Sequence, residues 1–337
     1  MYPLQPIYQR FPFTALFASF TSYLFRLQIH TPGFLSYLLP LTVKQMPITK
    51  DSIGQYWYTY TIYLYDYVCS LLKGCYMNVA TVGDNCVDVY EKEGRQYPGG
   101  NPVNVAVYLR RLGIDASYTG VVGTDEYGRN LIDALNDKGV DTSHVHTAEG
   151  STAVTKVEIV NGNRVFGDYI EGVMEDFRLT DDDITFLCRH DLVVSGIWGH
   201  TADDLGKIKA NGTTIAFDYS DQPNDPIVDA SIAHVDYAFF GLESDDTAEV
   251  RAFMRDKQAR GPRVVVVTLG EHGSLAFDGR EFYKHGIIEV DIADTMGAGD
   301  SFIAGFIKGV LEGRDVPGCM DEGAGCSAIT LRYNGAW

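Results

Sequence analysis

The chain has 337 residues, 45% of them hydrophobic, with 45 acidic and 27 basic side chains and a formal net charge of −18. That is enough for one large domain or two smaller ones with a packed core; the acidity excludes a surface built for a phosphate backbone, so no nucleic-acid partner is expected, and an anionic ligand has to be held by local helix ends and a divalent cation. Six cysteines (69, 75, 86, 188, 319, 326) make no Cys-x-x-Cys pair and have no histidine at zinc-finger spacing, which reads as reduced thiols in a cytoplasmic protein.

Residues 1–76 differ in kind from the rest. They hold two acidic residues, Asp51 and Asp66, and five basic ones, which leaves 43 acidic and 22 basic residues in 77–337. Aromatics crowd this leader, as in Tyr56-Trp57-Tyr58-Thr59-Tyr60, without a sustained strand or helix period. Its most apolar piece, Phe11 to Phe25, is broken by Thr and Ser and stops at Arg26, short of the roughly 20 residues of a membrane span. It also lacks the basic start and cleavage pattern of a secretory signal, so no membrane partner is expected. Lys73-Gly74 must be encoded AAR-GGN, a purine run of ribosome-binding type two codons before Met77. For a bacterial source, 1–76 is therefore expected to be upstream sequence and Met77 the start of the protein. A translated leader would instead make a peripheral membrane or partner contact, or stay disordered.

From Met77 onward, strands and helical segments alternate. Asn78 to Val82 is a β-branched run followed by Gly83-Asp84-Asn85-Cys86-Val87-Asp88, a first parallel strand ending at the edge where open α/β sheets place ligands. Asp88 there is a carboxylate able to accept from two donors at once, or the turn aspartate of a hairpin. Val87 to Tyr97 alternates around Gly94 and leads to Gly99-Gly100. Pro102 starts a helix over Val103 to Leu112, with Asn104 in its first turn, where its amide can satisfy the helix start. Ser117 to Val122 is a strand, and Asp125 caps a helix from Tyr127 to Lys138. Thr152 to Val160 and Arg164 to Tyr169 flank the hairpin turn Asn161-Gly162-Asn163. After it, Asp168 and Glu171 lie in an aromatic and acidic stretch expected to face a substrate, while His200 reads as structural. Strands at Leu192 to Ser195, Thr214 to Asp218, Tyr237 to Phe240 and Val264 to Thr268 complete an α/β pattern with a parallel sheet covered on both faces. Leu269-Gly270-Glu271-His272-Gly273 is a tight turn between strands, and Val316 to Leu331 is the last helix. The absence of a Gly-x-Gly-x-x-Gly after a strand and of a Walker A motif argues against a dinucleotide enzyme and a P-loop kinase.

Near the end, Asp294-Thr295-Met296-Gly297-Ala298-Gly299-Asp300-Ser301 runs a small-residue turn straight into an apolar helical segment. The first unpaired N–H groups of that helix point into the turn and attract an anion, and glycines let a phosphate come close. Asp300 there can take a proton from an alcohol while the amides of Gly297, Ala298, Gly299 and Asp300 hold a transferring phosphoryl group. Taken alone, it is equally a cap after a flexible turn. The stretch resembles the C-terminal motif of the PfkB (ribokinase-like) carbohydrate kinases. Gly99-Gly100-Asn101-Pro102-Val103-Asn104-Val105-Ala106, with Gly113 and Gly123 beyond it, resembles their N-terminal motif.

The resemblance implies a ribokinase-like three-layer α/β/α fold for 77–337, with a mostly parallel central sheet and a small β-sheet lid from strands near 86–100 and 152–170. Lid closure about Gly99-Gly100 would exclude water. It implies an ATP-dependent sugar kinase that uses Mg2+, with K+ beside Asp294 and the Met296 carbonyl, and homodimers paired through the lid, as is frequent in the family. The sugar is expected on Asp88, Gly100, Asn104 and Asn85. The nucleotide is expected against Thr268, Gly270 and Gly273, with Cys326, Ala324 and Ala328 flanking the adenine. Two departures stand out. The family's Asp-x-Asn-x-Arg is here Asp218-Tyr219-Ser220-Asp221-Gln222, which loses a cation and gains an acid. The Asn-x-x-Glu that organises magnesium is missing in register from Phe240-Gly241-Leu242-Glu243-Ser244, so Glu243 stands in one position early. Gly83 to Asp88, Gly167-Asp168-Tyr169, Ile197-Trp198-Gly199-His200 and Asn334-Gly335-Ala336-Trp337 resemble the branch of the family that phosphorylates the 6-hydroxyl of fructosyl-amines. The expected partner is therefore a small sugar-amine, with Asp168, Glu171 or Asp221 as counter-charge. A kinase for another ketose or a nucleoside, and a non-catalytic sugar sensor, stay open at this point.

Overall fold

Both faces of the central sheet are apolar because its strands read as nearly continuous Val/Ile/Ala/Phe runs, the pattern of a parallel sheet covered by helices. This computed structural model describes residues 77–92, 94–160 and 163–337. The chain divides into Met1–Cys69 and Ser70–Trp337, and every element below belongs to the second unit. The expectations for residues 1–76 and for Asn161-Gly162 lie outside the described residues.

The elements in order are β1 (Asn78–Val82), β2 (Cys86–Tyr90), β3 (Arg95–Gly99), α1 (Asn101–Arg111), β4 (Asp115–Gly123), α2 (Glu126–Asp137) and β5 (Asp141–Ala148). Then come β6 (Val154–Val160), β7 (Asn163–Ile170), α3 (Asp181–Leu187), β8 (Leu192–Gly196), α4 (Leu205–Ala210), β9 (Thr214–Asp218), α5 (Pro226–Ser231) and β10 (Tyr237–Gly241). The chain closes with α6 (Ala248–Ala259), β11 (Val264–Thr268), β12 (Ser274–Phe277), β13 (Phe282–His285), α7 (Ala298–Leu311) and α8 (Val316–Thr330). β5 was not expected: its polar Asp-Thr-Ser-His run is tolerated because it is an edge strand with one neighbour.

The larger sheet has the order β13-β12-β11-β10-β9-β8-β1-β4-β5 and is parallel from β11 to β5, with β12 and β13 added antiparallel. Alternate residues feed two cores: Val79, Val194 and Val266 face one, Ala80, Val193 and Val267 the other. Phe306 is fully buried and lies edge-on to Tyr237 and Phe239, with centroids 6.0 and 5.3 Å apart. It pins α7 to the sheet, and truncating such a side chain costs about 3–5 kcal/mol. The smaller sheet, β3-β2-β6-β7, is mixed, with β2 and β6 parallel.

Two backbone joints need glycine. Gly100 has φ 108°, and a Cβ there would lie 2.7 Å from the Asn85 Cα, so β3 can pass into α1 only without a side chain. Gly297, the N-cap of α7, has φ 73° and would carry a Cβ 2.5 Å from the Tyr108 hydroxyl. Among the described residues no helix is long and apolar enough to cross a membrane.

Candidate active site

The starts of α1 and α7 meet. Asp300 is in the first turn of α7, and its carboxylate accepts from Asn101 Nδ2 on one oxygen and Asn104 Nδ2 on the other, each at 2.7 Å. Asn104 in turn accepts on Oδ1 from Trp337 Nε1 at 2.8 Å, which fixes the amide with its NH2 toward Asp300. Burial pushes Asp300 up to about 6; the two amides oppose that shift and the charge of Asp88 adds to it. A carboxylate at 6 is a better proton acceptor than one at its usual value, and it is already aimed by two donors.

Asn101 extends the network. Its second amide hydrogen goes to Asp218 Oδ2 at 2.9 Å, and its backbone N–H to Asp84 Oδ2 at 3.1 Å. Asp84 follows β1 and Asp218 ends β9, two strands apart in the sheet, so parallel order brings their C-terminal ends to one edge. Burial, reinforced by the charge of Asp300, holds Asp84 at about 6 and Asp218 at about 7. The sequence motifs quoted Asn101 and Asp218 without assigning them a role. The signal available was the run Gly-Gly-Asn-Pro, in which the residue before Pro102 is the first residue of the helix.

Asp88 sits on β2, buried, with the backbone of Gly99 close against its carboxylate. Asn85 turns inward: its NH2 donates to the Tyr118 hydroxyl at 3.0 Å and to the Val121 carbonyl at 2.8 Å. Gly100 packs on Asn85. Glu171 bonds His200 Nε2. Asp168 and Asp221 are exposed, and Asp221 accepts from the Gln222 amide at 2.7 Å.

On the other side of the α7 start lies a cavity of about 1080 Å³, lined by Thr268, Gly270 and Gly273, by Ala298 and Gly299 of the helix start, and by Ala324, Ser327 and Ala328 of α8. Its further wall is the 286–292 segment, whose Ile287, Ile288 and Ile292 are 55%, 42% and 64% exposed, an apolar platform with no partner among the described residues. Apolar walls suit a planar base, and the helix start at one end suits its phosphates. Cys326 faces elsewhere: a Cβ on Gly305 would lie 2.8 Å from its sulfur. On a helix, residues 324 and 328 share a face that residue 326 does not.

Among the described residues no three His, Cys, Asp or Glu side chains are grouped as a metal site. Asp294 accepts from the backbone N–H of Met296 at 3.0 Å and of Gly335 at 2.7 Å, tying the turn before α7 to the C-terminal segment. Glu243 is exposed on the loop after β10. This donor set fits a cation carried largely by nucleotide phosphates and completed by one carboxylate and water.

The fructoselysine 6-kinase of Shigella flexneri is 47% identical over 259 residues, which cover 77% of this chain and 99% of that protein. A fructosamine kinase of Bacillus subtilis is 32% identical over 265 residues, covering 77% and 93%. The solved structure of Arabidopsis thaliana ribokinase complexed with ribose and ATP superposes with a TM-score of 0.70 at 20% identity, over 77% of this chain and 94% of that one; it bears on the fold. Residues 74–337 match the pfkB family carbohydrate kinase profile, and the chain belongs to that family.

Proposed function

We propose that the protein transfers the γ-phosphoryl group of ATP to the 6-hydroxyl of fructoselysine, giving fructoselysine 6-phosphate. The observation that carries this is Asp300, poised between two asparagine amides with a nucleotide-sized cavity on one side and an acidic acceptor site on the other. The 47% identity to a fructoselysine 6-kinase supports the acceptor.

In this reading adenine would lie between the Ile287 and Ala324 walls, and the phosphates would reach the amides of Gly297 and Gly299, while the Ala298 N–H expected to join them donates to the Thr295 carbonyl at 3.2 Å. Asp88 and Asn104 hold the sugar, and Asp300 accepts the O6 proton late in a loose transition state while the helix start carries the developing charge. Mg2+ would neutralise the nucleotide's phosphates, with Glu243 the protein carboxylate assigned to it. K+ beside the Asp294 turn would steady that loop. The smaller sheet acts as a lid and, through the exposed Tyr169 and Ile170 of β7, as a homodimer face. The protein works in the cytoplasm as a soluble enzyme. The test is ATP consumption across fructoselysine, fructose, ribose and adenosine. A clear preference for fructoselysine is expected; comparable efficiency on free fructose defeats the acceptor, and no turnover with any of them defeats the enzyme.

A further inference from the structure

We infer that Asp84 and Asp218, tied together by Asn101, form the seat for the substrate's secondary ammonium and so select a sugar-amine over a neutral ketose. This rests on the acceptor class proposed above and deepens it: the resemblance pointed to Asp168, Glu171 or Asp221 for this task.

Asp84 is only 7% exposed, yet one of its oxygens is idle. Oδ2 accepts the Asn101 N–H, whereas Oδ1 is buried and makes no hydrogen bond among the described residues; Asn101 Oδ1 is likewise unpartnered among them. Buried acceptors left without donors are costly, so a carboxylate kept in this state points to a donor that arrives with a ligand. The donor should be a cation. Among the described residues neither Asp84 nor Asp218 makes an ion pair with a lysine or arginine, and the histidine whose charge acts on Asp84, His200, is bonded to Glu171. Burial holds both carboxyls well above the usual range, and an adjacent positive charge returns them to anions.

A fructosyl-amine supplies what is missing. Its C1 nitrogen is a secondary ammonium with two N–H groups, matched by two carboxylates as charge-assisted acceptors. The spacing also agrees. The two amide hydrogens of Asn101 hold Asp300 and Asp218, so the proton acceptor for O6 and the amine seat stand one amide group apart. In a fructofuranose the C6 and C1 arms flank the ring oxygen in the same way. A neutral ketose would place only a hydroxyl there. Phosphoryl transfer itself requires neither acid, since Asp300 has both of its own donors.

The test uses Asp84→Asn and Asp218→Asn in the full chain, with kcat/KM measured on fructoselysine and on free fructose. The fructoselysine-to-fructose ratio is expected to fall about tenfold to a hundredfold in each, mainly through KM, while Glu171→Gln and Asp221→Asn leave it within about threefold. A second measurement needs only the wild-type protein. Calorimetric binding at pH 6.5 in buffers of different ionisation heat should show protons released on binding fructoselysine and none on binding fructose. A wild-type ratio near one refutes the acceptor assignment and this inference with it. A wild-type preference that survives both substitutions, or binding without proton release, refutes the seat alone.

Discussion

Replacing Asp300 by asparagine separates chemistry from architecture. The carboxylate accepts one hydrogen from Asn101 and one from Asn104. An asparagine keeps one of these bonds through its oxygen and turns an NH2 toward the other donor, as a protonated carboxyl would turn its O–H. Burial, net of the two amide bonds, lifts the carboxyl from 3.8 to about 6; at about 1.4 kcal/mol per pH unit, keeping it ionised at neutral pH costs about 3 kcal/mol. The neutral amide carries no such cost, so the ligand-free variant is expected to melt no lower than the parent at neutral pH. Turnover behaves differently, because losing the proton acceptor removes about 10²–10⁴ in kcat. Scanning calorimetry with a coupled ADP-release assay reads both quantities. Turnover within about tenfold of wild type in a folded variant refutes the base, and a variant that melts well below the parent refutes the burial cost worked above.

Because Asp300 acts as an anion, kcat/KM on fructoselysine should fall at least about tenfold per pH unit below about 6; a value flat to pH 5 contradicts its role. Asp84, Asp218 and Asp300 bind protons more tightly folded, at about 6, 7 and 6, than at the usual 3.8. The stability they contribute is full below about pH 4 and lost as pH rises through 6 to 7, so Asp218→Asn should raise the ligand-free Tm at pH 8 and lose most of that advantage by pH 5. An equal effect at both pH values would show that Asp218 is not held protonated by the fold. Gly297→Ala sets a side chain at φ 73° and a Cβ 2.5 Å from the Tyr108 hydroxyl. It should destabilise by at least about 1–3 kcal/mol, and an unchanged denaturation midpoint contradicts the joint described. Trp337→Phe removes the donor to Asn104 Oδ1 and should raise KM for the sugar several-fold more than KM for ATP; equal effects would make Trp337 a packing residue only.

The parts of the site carried by local chemistry were legible in the chain. Glycine turns entering apolar helices mark the anion site, and β-branched runs mark the strands, so β1, β9 and β11 fall where the pattern predicts. What the chain did not show arises from topology. Asp84 and Asp218 are far apart in sequence and meet only because β8 alone separates β1 from β9. Asn101 escaped notice because the helix was expected to begin at Pro102, whereas it begins one residue earlier and aims the asparagine at three acids. Asn85 matched the ligand edge by position, but a strand end has two sides, and its amide is used by Tyr118 and Val121. The 286–292 wall has no regular structure, so periodicity could not reveal it; its isoleucines matter because they stay exposed among the described residues.

The most direct test is the identity of the product. With ATP and fructoselysine, the phosphorus-coupled carbon spectrum should show phosphate on C6, with one ADP formed per sugar. Phosphate on any other carbon, or ATP left unspent in the presence of fructoselysine, would contradict the account.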